Sequence, residues 1–325
     1  MNSRQRVLTA LRREQPDRVP FVEGGIDLPL QRALMGRDHY LPEDLNEVLG
    51  LDNLLIDFLP PVFGVHEVRD GINYVAQPLL LTRADLDRML FPDPEDPALY
   101  RAGEVLVQRN RGKYAICAKM RMGVSAMLMS MGLEAFSYAL VDDPGLIDTI
   151  LGRYVDWTVS IVRHLRDLGV DLVWTFDDMA YRSGSMFSPR VLREVILPHV
   201  RNVAHAIKGE GFPWILHSDG NVMPLLDDLL TLGFDALHPL EPGPMNIDAV
   251  KRDYGDRLCL VGNIDLHYTL TLGTPAEVEA EVKERIQNIG KGGGYMISSA
   301  NSLTSYCKVE NVWAMVDAIC KYANY

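Results

Sequence analysis

His217 and Asp219 stand two residues apart behind an apolar run, Trp214-Ile215-Leu216, and Gly220-Asn221 then turns the chain away. An imidazole and a carboxylate at that spacing can hold a divalent cation, or simply orient each other. Glu241 follows another apolar run, 234–238, at the same kind of strand-to-loop junction. With Glu241 the set becomes one nitrogen and two oxygen donors. That set suits zinc first, with a position left open for water or substrate. A metal held there acts as a Lewis acid, polarising a substrate oxygen or holding a nucleophile as its anion. Glu23, Asp177, Asp178, Asn263, Asp265 and Asn301 also follow apolar runs directly or closely. Asp178 and Asp265 taken singly are explained as well by helix N-capping. His238 reads most simply as a packed, hydrogen-bonded histidine.

Side chains scattered this widely meet only if their strands end on one rim. Eight short apolar runs fall at 19–22, 53–59, 114–120, 170–176, 214–217, 234–238, 258–262 and 294–298. Most are followed by a segment with helical three-four spacing, as at Ile147, Leu151, Val155, Val159 and Val162. Regular β-then-α alternation implies parallel strands, and eight units close an α/β barrel of the (β/α)8 TIM type, with its chemistry at the carboxyl ends. The chain therefore reads as one domain, 1–325. Residues 62–81 break the pattern: Val65, Val68, Ile72, Tyr74 and Val75 among Gly64, Asp70 and Gly71 predict a β-hairpin inserted after the second strand. Ser3 is the expected N-cap of a first helix, and a helix is expected from Ser188-Pro189 to about Lys208. Met122, Met127, Met129 and Met131 are expected either as helix core or as an adaptable wall for a flat ligand. Gly290-Lys291-Gly292-Gly293-Gly294 precedes the last run, on the opposite rim, and reads as a tight turn.

Composition narrows the partners. Lys and Arg number 32 against 44 Asp and Glu, a net charge of -12. An acidic chain without a basic run is a poor candidate for nucleic acid or an anionic membrane. No apolar run reaches membrane-spanning length, the amino terminus lacks a signal-like apolar stretch, and Cys117, Cys259, Cys307 and Cys320 form no CxxC pair. A reducing, cytoplasmic setting is expected. No GxGxxG follows the first strand, and neither a Walker loop nor a GxSxG elbow occurs.

Several segments together resemble the uroporphyrinogen decarboxylase-like superfamily over nearly the whole length. They are Arg4-Gln-Arg-Val-Leu-Thr-Ala-Leu11 with Pro16-Asp-Arg-Val-Pro20, Asp171-Leu-Val-Trp-Thr-Phe-Asp-Asp178, and Phe187-Ser-Pro189 with Leu197-Pro198. His217-Ser-Asp-Gly-Asn221, Val261-Gly-Asn-Ile-Asp265, Gly292-Gly-Gly-Tyr-Met-Ile-Ser-Ser299 and Glu310-Asn311-Val312 complete them. The resemblance implies a TIM-type barrel. Decarboxylases of that superfamily carry an Arg-Gln-Ala-Gly-Arg motif after the first strand, whereas this chain reads Phe21-Val-Glu-Gly-Gly-Ile-Asp27, an acidic tip that would repel a polycarboxylate. The other branch is similar to corrinoid-dependent methyltransferases, whose metal pattern is His-x-Cys, a Glu after the next strand and a Cys after the last. The matching positions here are His217, Asp219, Glu241 and Asn301, so both cysteines are replaced.

What the resemblance implies is a methyltransferase of the O-demethylase type. It would take a methyl group from a methoxylated compound and pass it to the cobalt of a separate corrinoid protein. Zinc is expected on His217, Asp219 and Glu241, with Tyr181 and Asp178 as catalytic groups. Asp177, Asn263, Asn301, Trp174 and Met127, with Met129, are expected around the substrate. Competing expectations are a metal-independent lyase or decarboxylase using Asp177 or Asp178 for proton transfer, a methyltransferase with a thiol acceptor, and a non-catalytic binding protein on the same fold.

Overall fold

The computed structural model describes residues 1–69 and 72–325. Its strands are β1 Asn53–Phe58, β2 Gly64–Arg69, β3 Ile72–Pro78, β4 Ala115–Met120, β5 Leu172–Phe176, β6 Ala180–Tyr181, β7 Gly184–Ser185, β8 Trp214–His217, β9 Ala236–His238, β10 Cys259–Val261 and β11 Tyr295–Met296. Seven of them form one sheet in the order β1-β4-β5-β8-β9-β10-β11. Every pairing in it is parallel. Parallel neighbours need a crossover, and helices such as Pro144–Leu168, Leu197–Gly209 and Pro275–Arg285 supply it. The architecture is an α/β fold consistent with the TIM type.

The first predicted strand, 19–22, is not a laddered strand. Segment 19–22 has a single parallel bridge, Phe21 to Ile297. Val22 N–H donates to the Ile297 carbonyl (3.0 Å), Ile297 N–H to the Pro20 carbonyl (2.9 Å) and Asp52 N–H to the Phe21 carbonyl (2.7 Å). The segment thus lies between the last strand and the first. Pro20 has no N–H to extend the ladder, so side chains complete the seam. Asp52, fully buried, accepts from Phe21 N–H at 2.9 Å, Arg6 Nη1 at 2.7 Å and Arg18 Nη2 at 3.1 Å. Asn53 Oδ1 accepts from Glu23 N–H at 3.0 Å.

Alternation along the strands sorts side chains into two cores. Ala115, Cys117, Leu172, Trp174, Ile215, Ala236, Cys259, Val261 and Met296 form an inner cluster. The first helix, Ser3–Leu11, adds Val7, Ala10 and Leu11 to it and covers the amino-terminal end. Its N-cap is Asn2, not Ser3, because the Asn2 side chain accepts from Gln5 N–H and the Gln5 side chain answers to Asn2 N–H. Intervening residues such as Ile116, Val173, Trp214, Leu216 and Leu237 pack outward against the helices.

β2 and β3 pair antiparallel as a separate two-stranded sheet. The predicted turn residues Asp70 and Gly71 lie outside the described residues. The helix expected from 188 is interrupted. Pro189–Val191 leads into a π-helical turn, Leu192–Ile196, before Leu197–Gly209. Pro198 cannot donate to the carbonyl four residues back, and a wider turn accommodates that loss. Among the described residues no single helix is long and apolar enough to cross a membrane, and the one pair that passes such a test jointly is bent by 98°. The four cysteines are free, three of them buried.

Candidate functional site

Strand alternation decides which groups reach the carboxyl end of the inner core. Ile215 belongs to the inner cluster, so His217, two residues on, faces the same way. The same argument turns Phe176 inward beyond Trp174, His238 beyond Ala236 and Lys119 beyond Cys117. Register sets Phe176 beside His217 and His217 beside His238. The Phe176 and His217 rings lie 4.6 Å apart, and the two imidazoles 4.9 Å. His217 Nδ1 and His238 Nδ1 are 2.7 Å apart, close enough to share one ring proton. Burial, then the neighbouring His217 charge, hold His238 well below the usual histidine range. A neutral His238 accepting at Nδ1 fixes the proton on His217 Nδ1 and leaves His217 Nε2 facing forward.

Two carboxylate oxygens converge in front of that nitrogen. His217 Nε2 lies 3.5 Å from Asp178 Oδ1 and 3.6 Å from Asp219 Oδ1. Ligand atoms of the three residues all fall within 4.8 Å of one another. Tetrahedral zinc with bonds of about 2.0–2.1 Å has ligand-to-ligand edges of roughly 3.3–3.4 Å, close to these separations. Asp219 Oδ1 is buried and has no hydrogen-bond partner, while Asn301 Nδ2 donates to Asp219 Oδ2 at 2.5 Å. An orphaned carboxylate oxygen aimed at an imidazole nitrogen fits a bound cation. Burial pushes the Asp219 carboxyl up to about 6. Burial also opposes ionisation of Asp178 and His217, but their mutual hydrogen bond and opposite charges outweigh it. Asp178 is held below, and His217 above, its ordinary value.

Glu241 is not part of this triad. Its Oε2 accepts from Gly220 N–H at 3.1 Å, and its Oε1 takes Arg182 Nη1 and His267 Nε2. Asp178 occupies the place expected for it, and Glu241 braces the turn behind Asp219. That turn needs glycine: Gly220 has φ +78°, and a Cβ there would lie 2.6 Å from the Tyr181 backbone.

The triad opens into a cavity of about 430 Å³. Asn301, Asp178, His217 and Asp219 line one side; Leu59, Leu128, Met129, Leu133, Phe176 and Met186 supply apolar walls, and Lys119 and Arg121 line it too. Other expected substrate contacts lie elsewhere. Asp177 is fully buried and accepts from Met122 N–H and, at 2.9 Å, Ser125 N–H, so it anchors backbone. Asn263 is buried and donates to the Leu240 carbonyl at 2.6 Å. Trp174 is fully enclosed in the inner core, stacked on Phe176. Met127 is fully buried on the far face of helix Val124–Met131, whose cavity face is Ser125, Leu128 and Met129. Tyr181 is 45% exposed and outside the cavity lining. A larger cavity, about 680 Å³ around Tyr100 and His164, contains none of these groups.

Glu23, at the end of the seam segment, carries a pH signature. Ser299 N–H donates to its Oε1 at 2.8 Å and Ser299 Oγ to its Oε2 at 2.7 Å. Complete burial nevertheless raises the carboxyl from 4.5 to about 8. Between those values the folded chain keeps a proton that the unfolded chain releases, so this group makes folding stability fall as pH rises. Glu23→Gln is expected to remove that slope. The urea midpoint of the variant should climb relative to the wild type across this window. Parallel curves would show that Glu23 is already ionised in the fold.

Comparison with known proteins agrees with the architecture. The model of the uroporphyrinogen decarboxylase (URO-D) family matches residues 62–322. This chain belongs to the URO-D family. A uroporphyrinogen decarboxylase of Pelodictyon phaeoclathratiforme is 24% identical, covering 96% of this chain and 96% of its own length. One from Chlorobium phaeovibrioides is 26% identical over 76% of this chain and 67% of its own. Among solved structures, a methyltransferase from Methanosarcina mazei superposes with a TM-score of 0.77 at 20% identity, covering 99% of both chains. That likeness shows the fold. Within the URO-D fold of this chain, the triad and its cavity sit at the carboxyl ends of β5 and β8, where TIM-type enzymes carry their chemistry.

Proposed function

We propose that this chain, as one closed-barrel domain spanning 1–325, is a cytoplasmic corrinoid-dependent methyltransferase. In this reading it removes the methyl group of a methyl ether, most simply a methoxylated aromatic, and passes it to the cobalt of a separate corrinoid protein. The observation that carries the reading is the Asp178–His217–Asp219 triad beside an apolar cavity. His217 Nε2, Asp178 Oδ1 and Asp219 Oδ1 would hold zinc. Bound zinc would supply Lewis acidity at the ether oxygen, and one imidazole with two carboxylates suits an oxygen ligand better than thiolates do.

The protein's own groups do the rest. His238 holds the His217 ring. The Asn301 amide occupies one Asp219 oxygen and keeps the other turned forward. Leu128, Met129, Phe176 and Met186 would enclose a flat ring and keep water from the leaving oxygen. Tyr181, expected as a catalytic group, is 45% exposed and would act only from outside the cavity lining.

A second reading, decarboxylation without metal, rests on the names of the curated relatives. Two measurements separate them. Chain purified without chelator should contain about one zinc by elemental analysis, as the three-ligand site requires. Incubation with uroporphyrinogen should release no carbon dioxide. Metal-free protein with decarboxylase activity would reverse the assignment.

A further inference from the structure

Glu23 opens the acidic stretch of the first segment, yet it is buried, and its carboxyl meets the strand end that carries Asn301. Up to residue 297 the first segment and the last strand are joined by backbone, with Val22 N–H donating to the Ile297 carbonyl. A parallel ladder continued from there would offer the Val22 carbonyl to Ser299 N–H. The Glu23 carboxyl takes that place instead: Ser299 N–H donates to its Oε1 at 2.8 Å and Ser299 Oγ to its Oε2 at 2.7 Å. Asn53 fixes the Glu23 backbone, accepting from its N–H and donating to its carbonyl, each at 3.0 Å. The two chains rejoin at residue 303, where Leu303 N–H donates to the Gly25 carbonyl (3.1 Å) and Asp27 N–H to the Leu303 carbonyl (2.8 Å). On the other side of the loop, Ala300 N–H donates to the Ile264 carbonyl at 2.9 Å. Asn301 lies between these anchors, and its Nδ2 donates to Asp219 Oδ2. That leaves Asp219 Oδ1, which has no partner, turned to His217 Nε2.

We infer that Glu23 is a positioning residue for the triad: by clamping Ser299 it fixes the loop 299–303, and so holds the Asn301 amide on Asp219. An amide on an untethered loop must be ordered each time a cation binds, and that ordering costs conformational entropy. With both ends of the loop tied, the cost is met in folding, and Asp219 is oriented before the cation arrives. Glu23 does not line the cavity beside the triad, so its effect reaches the cation through Ser299 and Asn301. Burial, which raises its carboxyl to about 8, keeps it neutral at pH 7. What it supplies is therefore hydrogen bonding, not charge.

Two readouts test this on Glu23→Ala, Glu23→Gln and Asn301→Ala: zinc affinity, by competition with a chelating dye, and amide exchange of 299–305 in metal-free chain, by mass spectrometry. Glu23→Ala and Asn301→Ala are each expected to weaken zinc roughly 10- to 100-fold, the scale of losing a group that orients a metal ligand. The double variant should bind zinc within about 2-fold of Asn301→Ala, because one effect runs through the other. Glu23→Ala should also speed exchange across 299–305. Glu23→Gln should restore both readouts, since its amide oxygen accepts from Ser299 N–H and its NH2 donates to Ser299 Oγ. Should Glu23→Ala fail to fold, Ser299→Ala, which removes only the hydroxyl bond, takes its place with a smaller loss of the same kind. Losses that add in the double variant overturn the inference, as does exchange in Glu23→Ala equal to the wild type. Only the zinc readout rests on the metal-dependent reading above. A wild type that takes up no zinc ends that reading, while faster exchange in Glu23→Ala still upholds the clamp.

Discussion

His217→Ala is expected to strip zinc from the protein, lowering affinity by more than the 10- to 100-fold typical of losing a group that merely orients a ligand. The ring is central to the site. Nδ1 is tied to His238 at 2.7 Å, and Nε2 faces Asp178 and Asp219 at 3.5 and 3.6 Å. Asp178→Ala should cost a similar loss. Glu241→Ala should cost much less, because its oxygens are engaged by Gly220, Arg182 and His267. Titrating zinc into each chelator-treated variant ranks the three. If Glu241→Ala loses zinc while Asp178→Ala keeps it, the ligand set expected from spacing is right, and Glu241 must turn inward when metal binds.

The largest effect on stability is expected at Asp52. Its carboxylate is fully buried and bonded to Arg6, Arg18 and Phe21 N–H, joining the first helix and the seam segment to β1. Removing one member of a buried ion pair costs about 3–5 kcal/mol, because the partner stays buried and uncompensated. Arg6 keeps Asp17, at 2.8 Å, which puts Asp52→Ala at about 3 kcal/mol, the lower end. Asp52→Asn should recover part of this through its retained acceptor. Urea unfolding gives the measurement; a change under about 1 kcal/mol, the scale of an exposed pair, would mean that the seam is not held by this cluster.

Much of the site was legible in residue order, and the misses have local causes. The run 214–217 ends on His217, and period-two alternation suffices to turn it inward beyond Ile215. Past Phe176 the chain leaves the strand and alternation stops deciding orientation. Asp177 and Asp178 could then not be told apart, and only Asp178 faces the cavity. Glu241 was placed at the right rim, but spacing does not reveal that Arg182 and His267 claim its oxygens. Met127 was a miss that helical phase could have prevented: Ser125, Leu128 and Met129 are three and four apart and share a face that excludes it. Lys119 is a single charge in an apolar run, yet it follows Cys117 at period two into the interior. The first predicted strand, 19–22, does lie beside the last one, yet Pro20 signals that it cannot be a full ladder member.

Methyl transfer onto cobalt, as proposed for this chain, can be read directly with free cob(I)alamin. Zinc-loaded chain, 3-methoxybenzoate and cob(I)alamin are mixed without oxygen, and the absorption spectrum is followed. Co(I) is expected to convert to methyl-Co(III) with matching appearance of 3-hydroxybenzoate. The reaction is expected to stop in His217→Ala and when zinc is removed. Conversion at the same rate with His217→Ala, or with the metal stripped, would contradict it.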